Sequence, residues 1–524
     1  MKRILTIVLF AGLVVSTALP AGAQTLAVDD PVLKAIWTEA LENSQLELLA
    51  HQLLDVNGPR LTSSPQDTKA HQWAVATFGS WGVEAKMEQW GTWLGWRRGI
   101  CHIDMLEPWV KTLDGNLMSW SPGTRGPVTG DLVVIPEVAD EASFTRWLGT
   151  VRGKFVAISF PEPTGRPDAV WEANAPEPVY EKMREERNAA REAFNANLQR
   201  AGYGGRGGSG RLAEALAEAQ VAGILTMSWP NLWMVRRTFG ASTDQVPSLV
   251  LSLEDYTLLY RLAAGGDTPR MRLEADAEFL GDRPAYNTVA IIPGSEKPDE
   301  YVLMMGHLDS WDTSTGACDN GTGSLLAMEA LRVLKQVYPN PKRTLVVGLW
   351  GSEEQGLNGS AAFVEDHPEI AAGLQAAFNQ DNGTGRIVRM SASGFLDAGP
   401  YLAKWLSLVP EEVSRYVDLT LPGTPSSGGS DHASFIASGL PAFSLGAHSW
   451  EYGYTWHTEI DTYDKIVFDE VRNNVVLAAS LAYLACEEDD TLPRTQRLLI
   501  DPRTGEVRAW PSPRTPNRKG GRDE

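Results

Sequence analysis

A chain of 524 residues is too long for one compact core, so two or three domains are expected. Hydrophobic residues at 43% and charged residues at 21% exclude a disordered chain, and no repeat period or collagen-like pattern occurs. With 46 Lys and Arg against 66 Asp and Glu the net charge is −20, which argues against nucleic acid or anionic lipid as the main partner.

Lys2 and Arg3 lead into an apolar run from Ile4 to Leu19, and Ala21-Gly22-Ala23 offers small residues for cleavage before Gln24, so residues 1–23 read as a signal peptide. About sixteen apolar residues fall short of the roughly twenty that a membrane span needs. The mature chain is therefore expected to be periplasmic or secreted, with no span left. Cys101, Cys318 and Cys486 are too few for a disulfide-built fold, although one bridge is compatible with an oxidising compartment. Cys318 reads as a small buried filler.

The segment 24–119 opens with apolar positions at helical spacing (Val32, Ile36, Ala40, Leu41, Leu46, Leu49, Leu53), which predicts one or two helices. Asn57-Gly58-Pro59 and Ser63-Ser64-Pro65 then mark turns before a second helical stretch, His71 to Trp81. From 120 to 278 short β-rich runs (Leu132 to Ile135, Phe155 to Phe160, Ile224 to Met227, Ser248 to Leu251) alternate with long polar connections, the texture of an inserted domain. Residues 178–200, dense in Glu, Arg, Ala and Asn, predict a solvated helix. Gly202, Gly204 and Gly207 formally match a dinucleotide-loop pattern, but such a loop follows a strand, and these glycines follow a charged helix. They read as a flexible loop.

From 279 to 490 the pattern becomes strand, loop, helix, repeated. Tyr301 to Met305, Thr344 to Leu349 and Ala376 to Phe378 are continuous apolar runs of the kind found in strands buried on both faces, with a clear helix from Gly323 to Gln336. An open α/β sheet follows, with its site beyond the carboxyl ends of the strands. Residues 491–524, rich in Pro, Arg and Gly, read as a flexible tail.

Chemistry-bearing residues fall at those strand ends: His307 and Asp309, Glu353 and Glu354, and Asp381. Charged groups gathered at the mouth of an apolar sheet are costly unless compensated, and a divalent cation compensates them. Imidazole with carboxylate and no thiolate suits Zn²⁺, with Co²⁺ or Mn²⁺ as substitutes, whereas Ca²⁺ or Mg²⁺ would recruit mainly oxygen. Together with Asp319 and His457 elsewhere in the chain, two histidines and three carboxylates (His307, His457, Asp319, Glu354 and Asp381) exceed what one catalytic zinc uses and fit two ions about 3.5 to 4 Å apart. Serine chemistry has no support, because no G-x-S-x-G occurs.

The segments GHLDS at 306–310, GACDNGTG at 316–323, GSEEQGLNGS at 351–360, GSDHASF at 429–435 and HTEIDTYD at 457–464, with GPRLTSSP at 58–65, resemble the co-catalytic zinc exopeptidases. That family includes bacterial leucyl aminopeptidases, glutamate carboxypeptidase and plasma glutamate carboxypeptidase-like enzymes. The resemblance implies an open, mostly parallel sheet flanked by helices and two Zn²⁺. His307 and Asp381 would bind one ion, Glu354 and His457 the other, and Asp319 would bridge both. Asp309 is similar to the carboxylate that orients the first histidine, and Glu353 to the general base. The Gln380-Asp381-Asn382-Gly383 stretch departs from the family's usual Asp followed by an apolar residue. Arg152-Gly153-Lys154 and the Ala219 to Met227 step make 120–278 similar to a protease-associated domain. Ser430, Tyr452 and Tyr454 are candidates for holding substrate, while His432 and His448 read as structural histidines.

The expected partner is thus a peptide or dipeptide cut near one terminus. Aminopeptidase is the first reading. A dipeptidase or carboxypeptidase of the plasma glutamate carboxypeptidase type stands close behind, since the insertion and the Glu451-Tyr452 stretch suit that group too. A non-catalytic binding protein and a single-zinc cyclase share the fold, but retention of Glu353, Asp319 and the full ligand set speaks against both.

Overall fold

The computed structural model describes residues 29–450 and 452–521, so the expected signal peptide and Glu451 lie outside the described residues. The architecture is mixed α/β, organised by a mostly parallel sheet that counts fifteen strands among the described residues. The half that carries the three predicted strands runs Asp418–Thr420, Ile387–Ser391, Ala442–Ala447, Leu374–Asn379, Lys297–His307, Arg343–Trp350, and then Arg270–Ile292. The three strands predicted from apolar runs are parallel neighbours, Leu303 lying opposite Val346 on one side and Ala377 on the other. Every residue of Arg343–Trp350 and of Leu374–Asn379 is buried, which is why these segments read as unbroken apolar runs with no alternation.

Helices Thr322–Val337 and Phe468–Glu487 pack against each other on the sheet and bury most of their length. The opening helices follow local rules. Asp30 accepts from the amides of Val32 and Leu33 with Pro31 in the first turn, and Ser64 accepts from the Asp67 amide with Pro65 after it. Between them, the Arg60 guanidinium is fully buried and donates to the carbonyls of Gly58, Leu308, Thr315 and Gly316. It thereby fastens the chain that leaves the central strand.

The expected inserted stretch carries its own strands, Val128–Val134, Phe155–Ala157, Gly223–Thr226 and Ser248–Leu251, and two apolar cores. Its predicted edge at residue 278 falls inside a strand. Arg270–Ile292 pairs antiparallel with Glu84–Glu107 along almost its whole length, and Arg97 lies opposite Glu278. One end of Arg270–Ile292 borders the strand Arg343–Trp350, and the other borders Val128–Val134. Long alternation of polar and apolar residues on a two-stranded ribbon leaves no compositional break to read. At the junction Trp90, Trp93, Trp96, Trp120 and Trp311 form a separate buried cluster. The charged helix Glu177–Arg200 is largely exposed, and the glycine tract links it to a second helix, Gly208–Glu218.

The C-terminal segment differs from the expected flexible tail. Lys519–Gly520 pairs in parallel with Thr92 and Trp93, Arg518 forms ion pairs with Glu365 and Asp366, and the Trp510 indole donates to the Ile436 carbonyl at 2.7 Å. Composition reports whether a segment can build its own core, and this one borrows the core of its neighbours.

Candidate metal centre

Five residues from five separate parts of the chain converge. His307 closes the central strand Lys297–His307, and its carbonyl accepts from Ser324 Oγ at 2.7 Å. Asp319 lies in the turn before helix Thr322–Val337, Glu354 just after Arg343–Trp350, and Asp381 just after Leu374–Asn379. His457 sits in a loop with φ of 59°, a left-handed conformation uncommon for a residue with a Cβ. Gly323 lets the helix start lie against the Gln380 carbonyl, where an added Cβ would come within 2.2 Å.

The geometry divides the five into two groups that share one member. His307, Asp319 and Asp381 form one, and Asp319, Glu354 and His457 the other, with the candidate ligand atoms of each group within 4.8 Å of one another. His307 Nε2 lies 3.3 Å from Asp319 Oδ1 and 3.2 Å from Asp381 Oδ1. His457 Nε2 lies 3.2 Å from Asp319 Oδ2 and 2.9 Å from Glu354 Oε2. Asp319 Oδ2 and Glu354 Oε1 are buried without a hydrogen-bond partner. Two imidazoles facing one shared carboxylate, with lone pairs left over and no thiolate in either group, form a donor set that fits zinc.

Electrostatics supports the same conclusion. Burial drives the proton affinity of Glu353 well above the carboxylate range and that of Glu354 to about 7, and neighbouring carboxylates add to both shifts. Burial by itself would lower His457, but Glu354 and Asp319 outweigh it and raise the ring to about 10. His307 is likewise raised, burial being overcome by Asp381 and Glu353. Ionising Glu353 and Glu354 beside the other buried carboxylates is thus costly even with two imidazoles present, and a divalent cation would relieve that cost.

Glu353 stands beside the cluster and in neither group, its Oε2 4.0 Å from His307 Nε2. Asp309 acts differently from the expectation. His307 Nδ1 is 3.0 Å from the Asp309 main-chain oxygen and 3.6 Å from its carboxylate, too far for a hydrogen bond. The carboxylate instead accepts the amides of Glu353 at 3.1 Å and Glu354 at 3.3 Å, so it positions the base and a candidate ligand.

Ser430 Oγ accepts from Asn379 Nδ2 at 2.8 Å at the edge of the cluster. Burial raises the Tyr452 phenol well above its usual value, with Asp319, Asp381 and Glu354 adding to the shift, whereas Tyr454 contributes its carbonyl to Thr458. His432 is half-buried and His448 exposed, each apart from the two groups. All three cysteines are unpaired, and the buried Cys318 thiol belongs to neither group.

Two acids went unremarked in the motifs. Asp461 accepts the amides of Cys318 at 2.6 Å and Asp319 at 3.0 Å and so holds the turn that carries the shared carboxylate. Asp431, fully buried, is raised to about 7 by burial, with Asp381 and Asp309 adding to the shift. Their position inside the quoted segments was the available signal.

The profile of Peptidase family M28 matches residues 287–482, the stretch that holds all five converging residues. Residues 287–482 belong to peptidase family M28. Carboxypeptidase Q of Mus musculus is 29% identical to this M28 peptidase over 481 residues, which is 90% of this chain and 93% of the relative. A solved peptidase M28 precursor from Shewanella amazonensis SB2B superposes with a TM-score of 0.65 at 25% identity, covering 88% of this chain and 97% of that one. BSAP, a zinc aminopeptidase from Bacillus subtilis, shares the fold at 16% identity and a TM-score of 0.54, over 86% of this chain and 97% of its own. The chain is accordingly a metallopeptidase of the M28 type. No described helix is long and apolar enough to cross a membrane.

Proposed function

We propose that this M28 metallo-exopeptidase is exported, holds two Zn²⁺ and acts as a dipeptidase or carboxypeptidase on short peptides. The observation that carries the two-ion reading is Asp319, whose two oxygens face His307 and His457 separately. His307 and Asp381 would hold one ion, Glu354 and His457 the other. When bound, such ions polarise the scissile carbonyl and make water a stronger acid. Glu353 lies outside both ligand groups, and Asp309 fixes its backbone, so its carboxylate is placed to take a proton from the attacking water and return it to the leaving amine.

The motifs alone favoured an aminopeptidase, and likeness over nine-tenths of the chain to carboxypeptidase Q moves the preference to the other terminus. A free carboxylate needs a cation, and Arg237 offers one: its guanidinium lies over the Trp456 ring, 5.0 Å from the centroid, and its Nε is buried without a partner. The test is metal content of the mature protein by mass spectrometry, together with turnover of a free dipeptide, an N-blocked dipeptide and Leu-p-nitroanilide. About two zinc per chain with activity only where a carboxylate is free is the expected result. Cleavage of the anilide at comparable rates would restore the aminopeptidase reading, and absence of bound metal would remove the two-zinc reading.

A further inference from the structure

His457 lacks the support that a ligating imidazole usually has. Such a ring is normally fixed by a hydrogen bond from its other nitrogen to a carboxylate or carbonyl. Here His457 Nδ1 is buried with no partner, whereas His307 Nδ1 has the Asp309 carbonyl at 3.0 Å. Rings take the place of that bond. Trp456 stacks on the His457 imidazole at 3.8 Å between centroids and 27° between planes, Phe239 meets it edge-on at 5.2 Å and 78°, and Trp311 closes a third side at 5.8 Å.

Phe239 belongs to the inserted stretch, and the chain around it is tied to the His457 loop at every step. The Thr238 amide donates to the His457 carbonyl at 2.8 Å, Arg237 and Thr458 form an antiparallel bridge, and the buried Arg236 guanidinium lies 3.2 Å from the Glu459 carboxylate. The left-handed backbone at His457 is held by those contacts.

We propose that Phe239, delivered by the inserted stretch, is a positioning residue for the second metal site, clamping the His457 ring against Trp456 in place of a hydrogen bond to Nδ1. The inference rests on the two-zinc reading above. It makes the inserted stretch part of the metal site, and by linkage metal at that site tightens the 236–239 contact as much as the contact tightens metal.

The test is chelator-competition titration of zinc into apo protein, which resolves the two affinities. For Phe239→Ala the expected result is a 10- to 100-fold weaker affinity at one site, with the other unchanged, the scale typical of lost ligand support. Phe239→Leu keeps apolar bulk and removes the ring, so it carries the same expectation should the alanine variant not fold, and Phe239→Tyr should restore binding. Hydrogen exchange at 236–239 in the wild-type chain should slow on zinc addition. A folded Phe239→Leu protein that binds both ions with wild-type affinity would overturn the clamp while leaving the two-zinc reading intact. A wild-type chain that binds no zinc would instead overturn that reading.

Discussion

Asp461→Asn tests how much the shared carboxylate depends on a residue outside the ligand set. Its carboxylate receives two buried backbone N–H groups, at 2.6 and 3.0 Å, and the side chain is 2% exposed, so water has no path to replace it. Each buried N–H group left without an acceptor costs about 1 to 3 kcal/mol, so Asp461→Ala should cost roughly 2 to 6 kcal/mol. An asparagine offers one oxygen to one donor and turns an amide toward the other, which leaves about half of that loss. Because the two N–H groups flank Asp319, the turn carrying the bridging residue should also loosen, and zinc affinity should fall about tenfold. Urea unfolding of the apo protein followed by tryptophan fluorescence gives the first quantity as a midpoint shift, and zinc titration gives the second. An unchanged midpoint together with unchanged zinc affinity in Asp461→Asn would refute the reasoning.

Glu353→Gln should lower kcat by about 10²- to 10⁴-fold with both metals retained, and a metal-loaded variant with near wild-type turnover would remove the base assignment. Arg237→Ala should raise KM for dipeptides with a free carboxylate and leave Leu-p-nitroanilide unaffected, and an equal effect on both would deny it a carboxylate-binding role. One contribution to the pH dependence of stability comes from Asp67 and His71, whose closest oxygen and nitrogen lie 3.6 Å apart. Burial raises Asp67 well above its usual value and lowers His71 to about 4, with Arg60 and Asp309 as the charged neighbours. The raised acid contributes stability at low pH that is lost as pH rises past about 4, and the depressed histidine contributes stability above about 6.5 that is lost as pH falls. Between those limits the two slopes cancel, and above them the Asp67 contribution falls with rising pH until Asp67 ionises. Asp67→Asn should give a shallower fall of stability with rising pH than the wild type in urea melts above about pH 6.5, and equal slopes in both proteins would refute the assignment. Trp510→Ala should cost about 2 kcal/mol, since a half-buried indole and its hydrogen bond are lost, and an unchanged thermal midpoint would show that the C-terminal segment is not anchored.

The catalytic half was legible because its strands are buried on both faces. Runs such as Thr344 to Leu349 need no long-range information, and the residues ending them point to one crevice by topology alone. The inserted edge was less legible because Arg270–Ile292 serves two cores in turn, and no single residue marks where one gives way to the other. At the site, His307, Asp319, Glu354, Asp381 and His457 were all named from their motifs, and the structure gathers them. The bonds from the Glu353 and Glu354 amides to the Asp309 carboxylate were not foreseen, since spacing cannot tell which main-chain groups a buried side chain reaches. Phe239 was invisible, lying more than two hundred positions from His457 in a stretch with no motif.

The ribbon formed by Glu84–Glu107 and Arg270–Ile292 gives the insertion a simple relation to the rest of the chain. It departs and returns at directly opposed residues, Glu107 facing Arg270. To the catalytic sheet the whole insertion is therefore equivalent to the turn of a hairpin, and a short Asn-Gly connection could in principle close the same two strands. A chain shortened in that way would keep every candidate ligand and lose Phe239, separating by one deletion what the catalytic half can hold alone from what it borrows.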